Sequence, residues 1–252
     1  MPDVDVVVGR RVEHLMGTVF SFDLRDPVSV GVVDEVVEWL HWVDATFSTY
    51  VEDSEISQLR RRDIHLAECA PEVADVLAQC AQLERDTDGA FSAHYSGLLD
   101  PSGLVKGWAI ERAAQLLTEA GSTRHAVNGG GDVRAVGRPE PGRSWQIGVV
   151  DPFDPRSLAT VLSVVDGAVA TSGTAERGLH VVDPRGGLPA QGLASVTVVG
   201  PNLALADAYA TAAMVKGAEA PAWVEGLDGY DAFAVATTGE RWQTSGFAAW
   251  TA

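Results

Sequence analysis

Apolar positions along this chain recur with two different periods. In TVFSFDL, residues 18–24, apolar and polar side chains alternate, as in a strand with one covered face. Residues 30–47 switch to helical spacing, with Val33, Val36, Val37, Leu40, Val43 and Phe47 on one stripe. A second helix is predicted from Pro71, whose fixed φ and missing N–H suit the first helical position. It runs through Val73, Leu77, Cys80 and Leu83 and stops before Asp88 and Gly89. A third follows DPSG at 100–103, buries Ile110, Ala113, Leu117 and Ala120, and ends at Gly121. Short apolar runs predict strands near 125–128, 145–150, 158–165, 179–182 and 193–199. A fourth helix spans about 204–216, with Lys216 in its last turn and Gly217 as its cap. The tail YDAFAVATTGERWQTSGFAAW reads as a closing hairpin. Helices and strands mix without strict βαβ alternation, so the expectation is an α+β fold of mixed sheets and helices. It forms one domain over 1–252, with room for two lobes. The loop VGRPEPGRSW, residues 136–145, is the best Pro/Gly break and is expected to join neighbouring strands.

Composition narrows the function classes. The chain has 252 residues, is 46% hydrophobic and can bury a sizeable core. Its 35 acidic against 18 basic residues give a formal charge of −17, a field that repels nucleic acid and anionic membrane surfaces. No run approaches the ~18 apolar residues of a membrane span. The N-terminal MPDVDVVVGRRVEHLMGT has no basic stretch followed by an apolar signal core, so the expected location is the cytoplasm. Cys69 and Cys80 support no disulfide framework, and Cys80 falls on the apolar side of its predicted helix.

Four stretches carry candidate chemistry. HAVNGGGDVRAVG, residues 125–137, sets three glycines and Asp132 after an apolar run. It reads either as a bulged hairpin or as bare backbone against which a ligand lies, with Asp132 reaching a polar edge of it. Lys106 sits in the first turn of the third helix, where the macrodipole disfavours a cation unless an anion shares the site. In ADAYAT, Asp207 and Thr211 stand four residues apart on one helix face. Such hard oxygen donors suit Mg²⁺, but an i, i+4 Asp–Thr pair is also a common local contact. The segment ATSGTAERGLHVVDPRGG, residues 170–187, is polar where a core strand would not be. It offers Thr171, Ser172, Arg177, His180 and Arg185, with His180 a candidate general base or a structural histidine. Neither a P-loop nor a G-x-G-x-x-G fingerprint occurs.

Taken in order, these pieces resemble the FAD:protein FMN transferases, the ApbE-type flavin transferases. MGTVFSF resembles the family's MGT strand, FSTYVEDSEISQLRR its F-S-x-Y…S-E-[IL]-S block, and LDPSGLVKGWAIE its L-D-x-x-x-x-x-K-G-Y-A-x-D block. VNGGGDVRAVG, TSGTAER, HVVDPRGG, SVTVVG and ADAYATA complete a series running from residue 16 to about 217. The resemblance implies a Mg²⁺-dependent reaction in which FAD is cleaved at its pyrophosphate. FMN passes to a threonine or serine hydroxyl of an acceptor protein and AMP leaves. By the same resemblance Asp207, Thr211 and the Gly103 carbonyl hold the metal, Lys106 lies near FAD, and His180 deprotonates the incoming hydroxyl. Met16, Tyr50, Ala90, Phe91, Ser92, Asp100 and Val181 fall at FAD-contact positions. Gly129, Gly130 and Gly131 would let the dinucleotide approach the backbone while Asp132 positions its polar groups.

Departures from the pattern keep two alternatives in view, a Mg²⁺-dependent FAD pyrophosphatase and a flavin-binding protein without turnover. G-x-F-D-P-T appears as GAFSAHY, with Ser92 and His94 in place of Asp and Thr. Y-A-x-D appears as WAIE, and Gly186 replaces the threonine of H-x-x-D-P-x-T-G.

Overall fold

The computed structural model describes residues 5–95, 97–174 and 181–251. In chain order its elements are β1 (Val6–Leu15), β2 (Thr18–Ser29), α1 (Val30–Phe47), α2 (Glu55–Arg61), α3 (Pro71–Asp86), β3 (His94–Tyr95), β4 (Leu98–Leu99) and α4 (Ser102–Glu119). The second half adds β5 (His125–Gly129), β6 (Asp132–Val136), β7 (Trp145–Asp151), β8 (Asp154–Val164), β9 (Gly167–Gly173), β10 (Leu193–Gly200), α5 (Leu203–Lys216), α6 (Ala220–Glu225), β11 (Asp231–Ala236) and β12 (Arg241–Gln243). The fold is α+β, as the mixed pattern predicts.

Eight strands form one sheet in the order β1-β2-β5-β6-β9-β10-β11-β12, and every neighbouring pair is antiparallel. The two faces are covered differently. Phe20, Phe22 and Leu24 of β2 join the helix-side core with Val33, Val36 and Leu40 of α1, Ile110 and Leu117 of α4, and Met214 of α5. The other face packs Val133, Val169, Val199 and Phe233 against Trp145, Val149 and Leu162 of the β7–β8 hairpin and against Phe247. Alternation along each strand sorts its side chains between these faces. β10 is buried at all eight positions because both faces are covered there.

Three helices carry their sequence signals into the structure. α3 starts with Pro71, and its chain reverses through Asp88 (φ 54°) and Gly89 (φ 75°). α4 gives way to Gly121 (φ 96°), although Ala120 is exposed and not buried as its spacing suggests. α5 opens on Asn202, whose side chain accepts the Leu205 N–H at 3.1 Å, and closes on Gly217. Its alanines let it pack closely beside α4 and onto β9 and β10 of the sheet.

Other expectations are corrected. The loop over 136–145 does not join sheet neighbours: β6 pairs with β5 and β9, while β7 pairs only with β8 across the sheet's far face. The polar stretch beginning at Ala170 contains half of β9, an internal strand, because Thr171 and Ser172 satisfy their hydroxyls on other residues. Of the strand expected over 179–182, Leu179 and His180 lie outside the described residues, and Val182 forms an isolated bridge to Pro189. No helix among the described residues is long and apolar enough to cross a membrane.

Candidate functional site

Sheet alternation brings the site together. Val133 and Ala135 point toward the β7–β8 hairpin, so Asp132 and Arg134 of β6 point toward the helices. Ala168 and Ala170 of β9 face the helices, and Ser172 continues that row. α4 lies above β6 and α5 lies beside α4.

Lys106 of α4 stands between two buried carboxylates. Its Nζ pairs with Asp132 and lies 3.0 Å from Asp207 Oδ2. Asp132 is 1% exposed; its Oδ1 accepts the Thr171 N–H at 2.9 Å, and its Oδ2 is the oxygen that meets Lys106 Nζ. Asp207 Oδ2 also accepts the Gly107 N–H at 3.1 Å. That contact requires glycine: a Cβ at Gly107 would stand 2.7 Å from the Leu203 carbonyl oxygen and 2.9 Å from Asp207 Cβ. One turn of α5 beyond Asp207, the Thr211 hydroxyl lies 3.3 Å from Ser172 Oγ.

This pairing corrects the reading of Lys106 at the helix N-terminus. α4 begins at Ser102, so Lys106 is past the first turn, and two carboxylates outweigh the dipole there. Two carboxylates against one ammonium leave the cluster with a net charge of −1. With the Thr211 and Ser172 hydroxyls beside it, this is a hard-oxygen set that fits a divalent cation such as Mg²⁺. The described residues contain no cluster of three His, Cys, Asp or Glu side chains, so substrate oxygens and water would have to complete such a site.

The remaining predicted positions have distinct surroundings. Phe91 and Ala90 are buried after α3, and Phe91 closes on Gly103, where a Cβ would meet Phe91 Cε2 at 3.1 Å. Ser92 Oγ accepts the His94 N–H at 3.0 Å, a local turn bond. Asp100 Oδ1 accepts the Ser102 N–H at 3.1 Å and so satisfies the first free N–H of α4. Met16 is held at φ 51°, beside Gly17 in the turn between β1 and β2, and its N–H reaches Asp44 Oδ2 at 3.3 Å. Tyr50 is 97% exposed. The Val181 carbonyl accepts the Ala190 N–H at 2.9 Å. Met16, Tyr50 and Val181 share no hydrogen bond or ion pair with the Lys106 cluster among the described residues, and His180 and Arg177 lie outside them. Arg185 is engaged with both carboxylate oxygens of Asp183 at 2.8 Å, which holds that acid below the usual carboxylate range.

The three glycines serve the chain itself. Gly130 (φ 61°) and Gly131 (φ 95°) form the two-residue turn between paired Gly129 and Asp132, so the hairpin is tight and has no bulge. A Cβ at Gly129 would strike Ile110 Cδ1 and Phe20 Cε1 at 2.8 Å, so this glycine seats α4 on the sheet. The stretch therefore positions Asp132 rather than laying bare backbone open at Gly129.

Glu111, the last residue of WAIE, is a buried structural centre. Its Oε1 pairs with Arg134 Nε at 3.0 Å, and its Oε2 accepts the Leu203 N–H at 2.7 Å, the first of α5. A charged residue five positions beyond Lys106 on a largely buried helix was the available signal.

A sequence profile of the ApbE family matches residues 16–100 and 93–234. The chain is 37% identical over 129 residues to the FAD:protein FMN transferase of Rhodobacter capsulatus, covering 48% of this chain and 24% of that one. Against the enzyme of the same name from Salmonella typhimurium it is 29% identical over 156 residues, covering 58% and 45%. These matches thus span less than half the length of either relative. In structure it is similar to the ApbE protein of Thermotoga maritima, with a TM-score of 0.83 and 22% identity over 98% of this chain and all of that one. That likeness concerns the fold.

Proposed function

The chain belongs to the ApbE family, and on that premise we propose that it transfers FMN from FAD to a threonine or serine hydroxyl of an acceptor protein and releases AMP. The observation that carries this reading is the Lys106–Asp132–Asp207 cluster beside the Thr211 and Ser172 hydroxyls. A buried net negative cluster needs a further cation, and a diphosphate brings the oxygens that share it. Asp207, Thr211 and the Gly103 carbonyl would hold Mg²⁺, which would neutralise charge building on the departing AMP phosphate.

The chain's own residues do the rest. Lys106, held between two carboxylates, offers its third N–H donor to a phosphate oxygen. Asp132 and Gly107 fix Lys106 and Asp207 so that neither must reorganise during the reaction. His180 is proposed to take the proton of the acceptor hydroxyl. That oxygen bonds to the FMN phosphorus as the phosphorus–oxygen bond to AMP breaks, with the electron pair leaving on AMP. Met16, Tyr50, Ala90, Phe91, Ser92, Asp100 and Val181 are proposed to contact FAD. The free cysteines Cys69 and Cys80 support action in the cytoplasm.

Incubating the purified chain with FAD and Mg²⁺, with and without a flavin-acceptor domain, tests the proposal. AMP together with one FMN on the acceptor, read by intact mass, is expected. AMP with free FMN in both samples would make the chain a pyrophosphatase, and bound FAD without AMP a binding protein.

A further inference from the structure

Two polar rungs cross from the sheet through α4 to α5. The first runs from Asp132 through Lys106 to Asp207; the second runs from Arg134 through Glu111 to the Leu203 N–H. Their spacing matches on both elements: two strand residues rise about 6.7 Å, and five helical residues rise about 7.5 Å. α5 runs back along α4, so Leu203 meets Glu111 and Asp207 meets Lys106 four residues later.

We propose that Glu111 is a positioning residue that sets where α5 lies along α4, and through it the placement of Asp207 and Thr211 as cation ligands. This inference rests on the proposed function. Glu111 is 7% exposed and has both oxygens engaged, one on β6 and one on the first N–H of α5. A carboxylate at that helix end is favoured by the dipole, and Arg134 cancels its charge. Arg134 is itself anchored, donating to the Gly167 carbonyl at 3.1 Å. Gly107 allows close approach between the helices and its N–H holds Asp207 Oδ2 at 3.1 Å; the Glu111–Leu203 bond fixes the start of α5 against the same helix.

The test is Mn²⁺ binding, read by electron paramagnetic resonance on ice in the FAD-saturated protein without acceptor, alongside thermal unfolding. Glu111→Leu is expected to weaken Mn²⁺ about ten-fold or more, as loss of a partner behind a metal ligand does. Glu111→Gln, which keeps an acceptor for Leu203, should fall between it and the wild type, and Glu111→Asp should recover part of the affinity. Glu111→Leu combined with Arg134→Met leaves no buried unpaired charge; it should fold and still bind Mn²⁺ weakly. Wild-type Mn²⁺ affinity in that folded double variant would overturn the inference alone. Absence of Mn²⁺ binding by the wild type would overturn the site reading and this inference with it.

Discussion

The rung through Lys106 and the rung through Glu111 join the same three elements, yet their chemistry is opposite. Around Glu111 the charges balance, and both carboxylate oxygens have partners. Around Lys106 two carboxylates share one ammonium, which meets Asp132 Oδ2 and Asp207 Oδ2. A balanced buried pair holds elements in register; an unbalanced one holds a place for more positive charge. The proposed site is read from that imbalance and not from burial of charge alone.

The strongest way to break the contrast is to empty the unbalanced rung. Asp207→Ala should lower Mg²⁺-dependent AMP release about 10²–10³-fold while FAD binding, followed by flavin fluorescence, persists. Undiminished AMP release would remove Asp207 from the reaction.

Acid sharpens the contrast from the balanced end. His125 of β5 is fully buried, donates from Nε2 to the Ala114 carbonyl of α4 at 3.1 Å, and accepts at Nδ1 from Ser122 at 2.9 Å. Burial pushes its pKa down to about 4, from 6.5 in the unfolded chain, so the native state holds it neutral. Its contribution is complete above pH 6.5, erodes as pH falls toward 4, and totals about 3 kcal/mol at about 1.4 kcal/mol per pH unit. Urea midpoints measured from pH 7 to 4 should show that slope, and His125→Gln should flatten it.

Gly107→Ala acts on both rungs by prising the helices apart. Overpacking against the Leu203 backbone is expected to cost about 1–3 kcal/mol, read in the urea midpoint, and to lower AMP release as Asp207 leaves Lys106. Ser172→Ala is the mildest change. Losing its bond to Thr211 should cost about 1 kcal/mol or less and raise the Mg²⁺ concentration for half-maximal turnover only slightly.

What was legible in the sequence follows the range of the forces involved. α1, α3 and α5 rest on local periodicity and end signals such as Pro71 and Gly217, so the chain announces them. β1 leaves little periodic signal in the sequence because it is a sheet edge, half-exposed along most of its length with little hydrophobic contrast. β9 has no strand signature at its end because Thr171 and Ser172 look like loop residues until Thr197 and Thr211 receive them. The glycines from 129 to 131 suggested a ligand, but a tight turn and the side chains of Ile110 and Phe20 require them. Lys106, Asp132, Asp207 and Thr211 were named as candidates from their motifs, whereas the Glu111 bonds reach across 23 and 92 residues and leave no local trace.

The most direct measurement is an anomalous difference map from crystals of the chain soaked with Mn²⁺ and FAD. The account predicts a Mn²⁺ peak against the Asp207 carboxylate and the Thr211 hydroxyl, with the diphosphate beside Lys106. FAD seated elsewhere, or a Mn²⁺ peak remote from Asp207, would contradict it.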